Sequence, residues 1–309
     1  METIPNGVWP TMLTPFTAAD QLDWPGLEQL IEWYIGKKAA GLFAVCQSSE
    51  MFHLSLAERV KLARAVTQTV RGRIPVIAAG HIADSLAEQI EEIRQIAAAG
   101  IDAFVILSNR LARADEPDAV WRENAERILN QFPDLQFGIY EAPYPYKRLL
   151  APELLAWCAA TGRFLFLKDT SCDLRQMRQK LAAVRGTRLK IFNANSATLL
   201  SSLQSGISGY SGVMSNFFPD LYVWLVANWA HDPVAAATVQ DFIGAASLVE
   251  RQAYPVNAKY SLQREGLPIA IHSRARDARQ FSPAERLEVE QLAALYRRFK
   301  AHAIALKDL

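Results

Sequence analysis

Eight times between residues 8 and 214, a short run of β-forming apolar residues ends in polar or small residues and gives way to a helix start signal. The runs are Val8–Thr14, Leu42–Cys46, Pro75–Ala79, Ala103–Leu107, Phe137–Ala142, Phe164–Asp169, Leu189–Ala194 and Gly209–Met214. Near-continuous apolar character, as in Phe164-Leu-Phe-Leu167, is what strands covered on both faces require, and strand-helix alternation at a spacing of roughly 25–35 residues builds parallel βαβ units. Between the runs, Ser55-Leu-Ala-Glu58 and Ser85-Leu-Ala-Glu88 read as capping boxes. Leu27, Leu30, Ile31, Tyr34 and Ile35 share one helical face, and so do Leu174, Met177, Leu181 and Val184. Eight such units with no dinucleotide fingerprint at the first turn predict an α/β fold, a (β/α)8 TIM barrel, over residues 1–218 rather than a doubly wound sheet. After Asn216 the pattern is helical only, at roughly 219–230, 233–252, 254–265 and 283–303, so residues 219–309 read as a C-terminal helical extension.

Composition narrows the class of function. Half of the 309 residues are apolar and 21% are charged, enough for a large core. Thirty-three Lys and Arg against 32 Asp and Glu leave a net charge of +1 with no basic or acidic block, which argues against nucleic acid and anionic membrane as partners. No signal peptide or membrane span is apparent, and a cytoplasmic protein is expected. Cys46, Cys158 and Cys172 are odd in number and far apart, so they read as reduced, with Cys158 in the core. His53, His81, His231, His272 and His302 show no ligand spacing, and metal is not indicated. Gly206, Gly209 and Gly212 lack a phosphate-loop pattern and read as loop packing.

A barrel carries its chemistry at the C-terminal ends of its strands, and there Lys168 leads. It ends an apolar run, and lysine is almost never buried without a partner or a purpose. One reading has it reach solvent or pair with Asp169; the other makes it an amine of lowered pKa that forms a Schiff base with a carbonyl substrate. Tyr140 lies near the mouth of the neighbouring strand, either as packing or as the phenol that shuttles protons for imine formation.

Five segments in register carry a resemblance: Trp9-Pro-Thr-Met-Leu-Thr-Pro-Phe16, Val45-Cys-Gln-Ser-Ser-Glu50, Gly72-Arg-Ile-Pro-Val-Ile-Ala-Ala-Gly80, Tyr140-Glu-Ala-Pro143 and Leu167-Lys-Asp-Thr170. Together they resemble the dihydrodipicolinate synthase / N-acetylneuraminate lyase superfamily of class I pyruvate aldolases, over essentially the whole chain. The resemblance implies a barrel in which Lys168 is the Schiff-base lysine and Tyr140 the proton-relay phenol. The family's G-[ST]-T-G-E loop falls on Cys46 to Glu50, with Ser48 matching the hydroxyl that binds the keto-acid carboxylate, Gln47 in place of the relay Ser or Thr, and Ser49 in place of a glycine. Glu50 reads as structural. The family's T-P-Y-Y reads Leu107-Ser-Asn109-Arg110, its aldehyde-binding Arg is replaced by Pro145, and its G-D-D reads Asn193-Ala194-Asn195. Asn109, Arg110, Asn193, Asn195 and Ser211 are therefore candidates for the acceptor side. Arg110 either holds a second carboxylate there or points to solvent and pairs with Asp115 or Glu116.

The expected activity is a Schiff-base lyase or aldolase acting on pyruvate or a related 2-keto acid and an aldehyde. It needs no cofactor and is not an authentic dihydrodipicolinate synthase; relatives imply a homo-oligomer, dimer or tetramer. Within the same fold, a keto-deoxy sugar-acid dehydratase or a catalytically silent keto-acid-binding paralogue would share the lysine.

Overall fold

The computed structural model describes residues 3–302 and forms the expected (β/α)8 barrel. The strands are β1 Gly7–Val8, β2 Leu42–Phe43, β3 Val76–Ala78, β4 Ala103–Leu107, β5 Phe137–Tyr140, β6 Phe164–Asp169, β7 Lys190–Asn193 and β8 Gly209–Tyr210. All pair in parallel in the order β1-β8-β7-β6-β5-β4-β3-β2. A parallel bridge between Thr11 and Phe43 joins the two ends of the sheet, with Met12 N donating to Phe43 O and Phe43 N to Pro10 O, both at 3.0 Å.

The helices are α1 Trp24–Gly36, α2 Leu56–Val70, α3 Leu86–Ala97, α4 Asp118–Gln131, α5 Pro152–Ala160, α6 Leu174–Ala183, α7 Leu199–Gln204, α8 Pro219–Asn228, α9 Pro233–Ala246, α10 Val256–Arg264 and α11 Pro283–His302. The Ser55 capping box is complete in both directions, and Ser85 accepts from Glu88 N. Among the described residues no helix is long and apolar enough to cross a membrane. The expected end of the last helix at residue 303 and the side chain of His302 lie outside the described residues.

Several strands are shorter than the apolar runs that announce them. Pro10 has no N–H for the ladder, so β1 stops at Val8 and continues as extended chain to the Thr11 bridge. The run from Gly209 folds after Tyr210 into a 3-10 turn, Val213–Asn216. The helix expected over 233–252 ends at Ala246 and tightens into a second 3-10 turn, Ser247–Arg251.

Side chains alternate across each strand, and the inward set fills the barrel with aromatic rings. Phe166 stacks on Phe192 at 4.6 Å between centroids, Trp9 meets both edge-on at 5.6 and 6.0 Å, and Phe43 lies 6.3 Å from Phe166. This layer is the floor on which the strand mouths stand.

Barrel closure leaves no room between β1 and β8. A Cβ on Gly209, whose φ is +151°, would lie 1.9 Å from Gly7 O. Gly209→Ala is therefore expected to lower stability by about 3 kcal/mol, the upper end of overpacking costs; a wild-type urea midpoint would contradict this account of closure.

Candidate active site

Register brings the two leading residues together. Tyr140 on β5 pairs with Lys168 on β6, and both side chains point inward over the aromatic floor. Lys168 Nζ sits 4.3 Å from the centroid of the Tyr140 ring and 6.0 Å from that of Phe43. Each residue is 4% exposed. Among the described residues neither Nζ of Lys168 nor Oη of Tyr140 has a hydrogen-bond partner. Lys168 does not pair with Asp169, which faces out of the barrel toward Lys180 of α6. Burial drives the Lys168 pKa down to about 8, against the opposing charges of Cys46 and Glu250. Burial likewise raises the Tyr140 phenol, which stays protonated.

The loop after β2 forms one wall. Ser49 is fully buried, its Oγ accepting from Cys46 N and donating to Cys46 O, both at 2.7 Å, while Thr14 Oγ1 donates to Ser49 O. Its hydroxyl is thus spent on the turn. Ser48 Oγ donates to Thr11 Oγ1 at 3.1 Å and also interacts with the Tyr254 phenol. Gln47 Oε1 is buried and has no hydrogen-bond partner among the described residues. Glu50 takes a left-handed conformation at φ +62° and is anchored to the C-terminal region. One carboxylate oxygen accepts from Lys259 Nζ at 2.6 Å, the other from Ser273 Oγ, Arg274 N and Ala275 N. Its part is structural.

The remaining candidates are dispersed. Asn109 Nδ2 donates to the carbonyls of Ala142, Tyr144 and Tyr146, tying down the segment after β5. Asn193 donates to Thr198 and Ser202 hydroxyls and accepts from Asn195 N, and Asn195 in turn accepts from Thr198, so both amides shape the turn into α7. Ser211 is buried and donates to Trp9 O. Arg110 lies over the Phe52 ring and pairs with Asp84 at 3.5 Å. Asp115 and Glu116 pair instead with Arg113. Arg110 and Asn109 line a cavity of about 500 Å³ whose walls include neither Lys168 nor Tyr140.

Two residues from the C-terminal region were not anticipated. The turn Ser247–Arg251 packs on the turn that follows β8, which places Glu250 within electrostatic reach of Lys168, Tyr210 and Cys172. Tyr254 accepts a hydrogen bond from Asn216 at 3.1 Å beside Ser48. Nothing local marks either position, because their neighbours lie far away in sequence. His81 is buried and uncharged, its pKa pushed down to about 3 by burial and by Arg110 and Arg59, and it accepts from Leu107 N.

Residues 4–294 match the model of the dihydrodipicolinate synthetase family. The chain is similar to the 4-hydroxy-tetrahydrodipicolinate synthase of Pseudomonas savastanoi pv. phaseolicola, at 24% identity over 84% of this chain and 85% of that one. It is also similar to the enzyme of the same name from Gluconacetobacter diazotrophicus, at 26% identity over 79% and 81%. Among solved structures, a monomeric dihydrodipicolinate synthase variant superposes with a TM-score of 0.87 at 19% identity, covering 96% of this chain and 98% of that one. YagE, a prophage protein of E. coli K12 from the dihydrodipicolinic acid synthase family solved with pyruvate, gives 0.84 at 24% identity over 96% and 98%.

A lysine titrating near 8 when folded and near 10.5 when unfolded lowers stability by about 3 kcal/mol, in full below pH 8 and progressively less as pH rises toward 10.5. Lys168→Met is expected to raise the unfolding free energy by up to that amount at pH 7. A variant no more stable than wild type at pH 7 would contradict a desolvated amine.

Proposed function

The chain belongs to the dihydrodipicolinate synthetase family, and from that premise we propose that it is a class I lyase or aldolase whose Lys168 forms an imine with pyruvate or a related 2-keto acid. The observation that carries this reading is the Lys168 amine, buried against the Phe43 and Tyr140 rings with, among the described residues, no carboxylate bonded to it. An amine titrating near 8 is partly neutral at cellular pH, so its lone pair is free to attack. Addition of Nζ to the C2 carbonyl gives a carbinolamine. Tyr140 donates a proton to the departing hydroxyl, water leaves, and the imine forms. The protonated imine draws electrons from C2, a C3 proton is lost, and the enamine attacks the aldehyde carbon; cleavage is the same path reversed.

Ser48 and the amides of its loop suit the keto-acid carboxylate, since they donate hydrogen bonds without adding a cation that would oppose the iminium. Gln47, with its buried unpaired carbonyl, is the polar group left to orient water or substrate at that wall. The acceptor is not aspartate semialdehyde on this reading: Pro145 and Arg110 stand where the family pattern has a carboxylate-binding arginine and a relay tyrosine. The same reading takes the protein as a cytoplasmic homo-oligomer acting on a 2-keto acid and an aldehyde without a cofactor.

Incubation with pyruvate and borohydride, followed by peptide mass mapping, is expected to place a single adduct on Lys168. An adduct on another lysine, or one that survives Lys168→Ala, overturns the assignment. The trapping rate should rise about tenfold per pH unit below 8 and level off above it, because only the neutral amine adds.

Tyr140→Phe should retain pyruvate binding and lose about 10²–10³-fold in turnover; turnover equal to wild type removes the phenol from the proton path. In an aldehyde panel, efficient condensation with aspartate semialdehyde would overturn the acceptor claim.

A further inference from the structure

The residues that follow Tyr140 and Lys168 point out of the barrel, and there a buried ion cluster joins them. Lys180 of α6 places its Nζ 2.5 Å from Glu141 Oε1 and 2.6 Å from Asp169 Oδ2, and the three side chains are 2%, 0% and 0% exposed. The other contacts are also filled. Glu141 Oε1 accepts from Leu150 N at 2.9 Å and Oε2 from Thr170 N at 3.1 Å. Asp169 Oδ1 accepts from the amide and hydroxyl of Ser171, and Thr170 Oγ1 donates to Glu141 O at 2.7 Å. Burial opposes the Lys180 ammonium, but the two carboxylates together outweigh it and hold its pKa above the ordinary range.

Stability alone gives no reason for such a cluster. An apolar side chain of similar volume is often as stable as a buried ion pair or more so, and the buried face of α6 otherwise carries Met177. Its location is informative. The β5–β6 ladder is irregular between Phe137 and Gly138, then runs in regular register to Tyr140–Lys168, its last pair, beyond which Glu141 N still donates to Lys168 O at 3.3 Å. Lys180 bonds to the residue one step beyond Tyr140 and to the residue one step beyond Lys168. The irregularity and the clamp lie on either side of the site.

We propose that Lys180 is a positioning residue: by binding Glu141 and Asp169 it locks the ends of β5 and β6 and so fixes the Lys168 amine over the Tyr140 ring, out of water. The inference rests on the reading of Lys168 as the imine-forming amine, and it assigns Lys180 no contact with substrate. Loss of the clamp lets the strand ends part and water reach Lys168, and small displacements of reacting groups are costly in rate.

The test reads the Lys168 amine directly. Trace acetylation with acetic anhydride across pH 6 to 11, followed by peptide mass mapping, gives the titration midpoint of Lys168 without substrate, and pyruvate-borohydride trapping gives its reactivity. Lys180→Met leaves two carboxylates without their cation, so Glu141→Gln, which keeps a one-to-one Lys180–Asp169 pair, is measured beside it. Arg59→Met/Glu92→Gln removes a buried pair between α2 and α3 and serves as the control for stability loss alone. Folding of each variant is checked by circular dichroism. The expected result is a Lys168 midpoint raised by a pH unit or more and trapping at pH 7 slowed at least tenfold in each of the Lys180 and Glu141 variants that folds, with both unchanged in the control. A folded Lys180 or Glu141 variant with wild-type midpoint and trapping overturns the clamp, as does a control that shifts equally. Absence of any pyruvate adduct in wild type defeats the imine reading instead, while the acetylation midpoints still decide the clamp.

Discussion

A single amine kept from water organises this molecule. Lys168 rests on aromatic faces with, among the described residues, no carboxylate hydrogen-bonded to it, and the barrel must be packed around that fact. The interior supplies the low dielectric through Trp9, Phe43, Phe166 and Phe192, and Tyr140 supplies a polarisable ring beneath the charge. Gly138 permits this crowding, since a Cβ there would press on Phe166.

Strand alternation divides the labour between the two faces. Tyr140 and Lys168 turn inward to a dry site, and Glu141 and Asp169 turn outward to a buried ion cluster. Charge is compensated where structure is held and left uncompensated where chemistry is proposed. The C-terminal region follows the same logic: Lys259 neutralises Glu50 and fixes the loop after β2, whereas Glu250 makes no ion pair among the described residues and is felt by Lys168 only through its charge. The extension is thus part of the wall of the site as well as a cover for the barrel.

The barrel was legible because eight buried parallel strands leave eight apolar runs, and the burial of Lys168 was legible because it lies at the end of one of them. Strand ends were less so: Pro10 interrupts the ladder without interrupting the apolar run. The acceptor-side candidates scattered because short amides near strand mouths serve their own turns, as Asn109, Asn193 and Asn195 do. Lys180 carried a signal that apolar patterning hides. The stripe Leu174, Met177, Leu181, Val184 passes beside it, yet Lys180 is buried while Leu181 is only half-buried. Charged residues on a core-facing stripe need outward-facing partners on the sheet, and Glu141 and Asp169 offered them. Tyr254 and Glu250 had no such trace, since their contacts arise only when the chain closes on itself.

The central claim is that the fold keeps the Lys168 amine desolvated. Titration of the lysine ε-carbon signals by nuclear magnetic resonance, in protein carrying ¹³C-labelled lysine and with Lys168→Met to assign the signal, measures this without substrate. The account predicts a midpoint near 8 for Lys168; a midpoint at the ordinary lysine value of about 10.4 would contradict it.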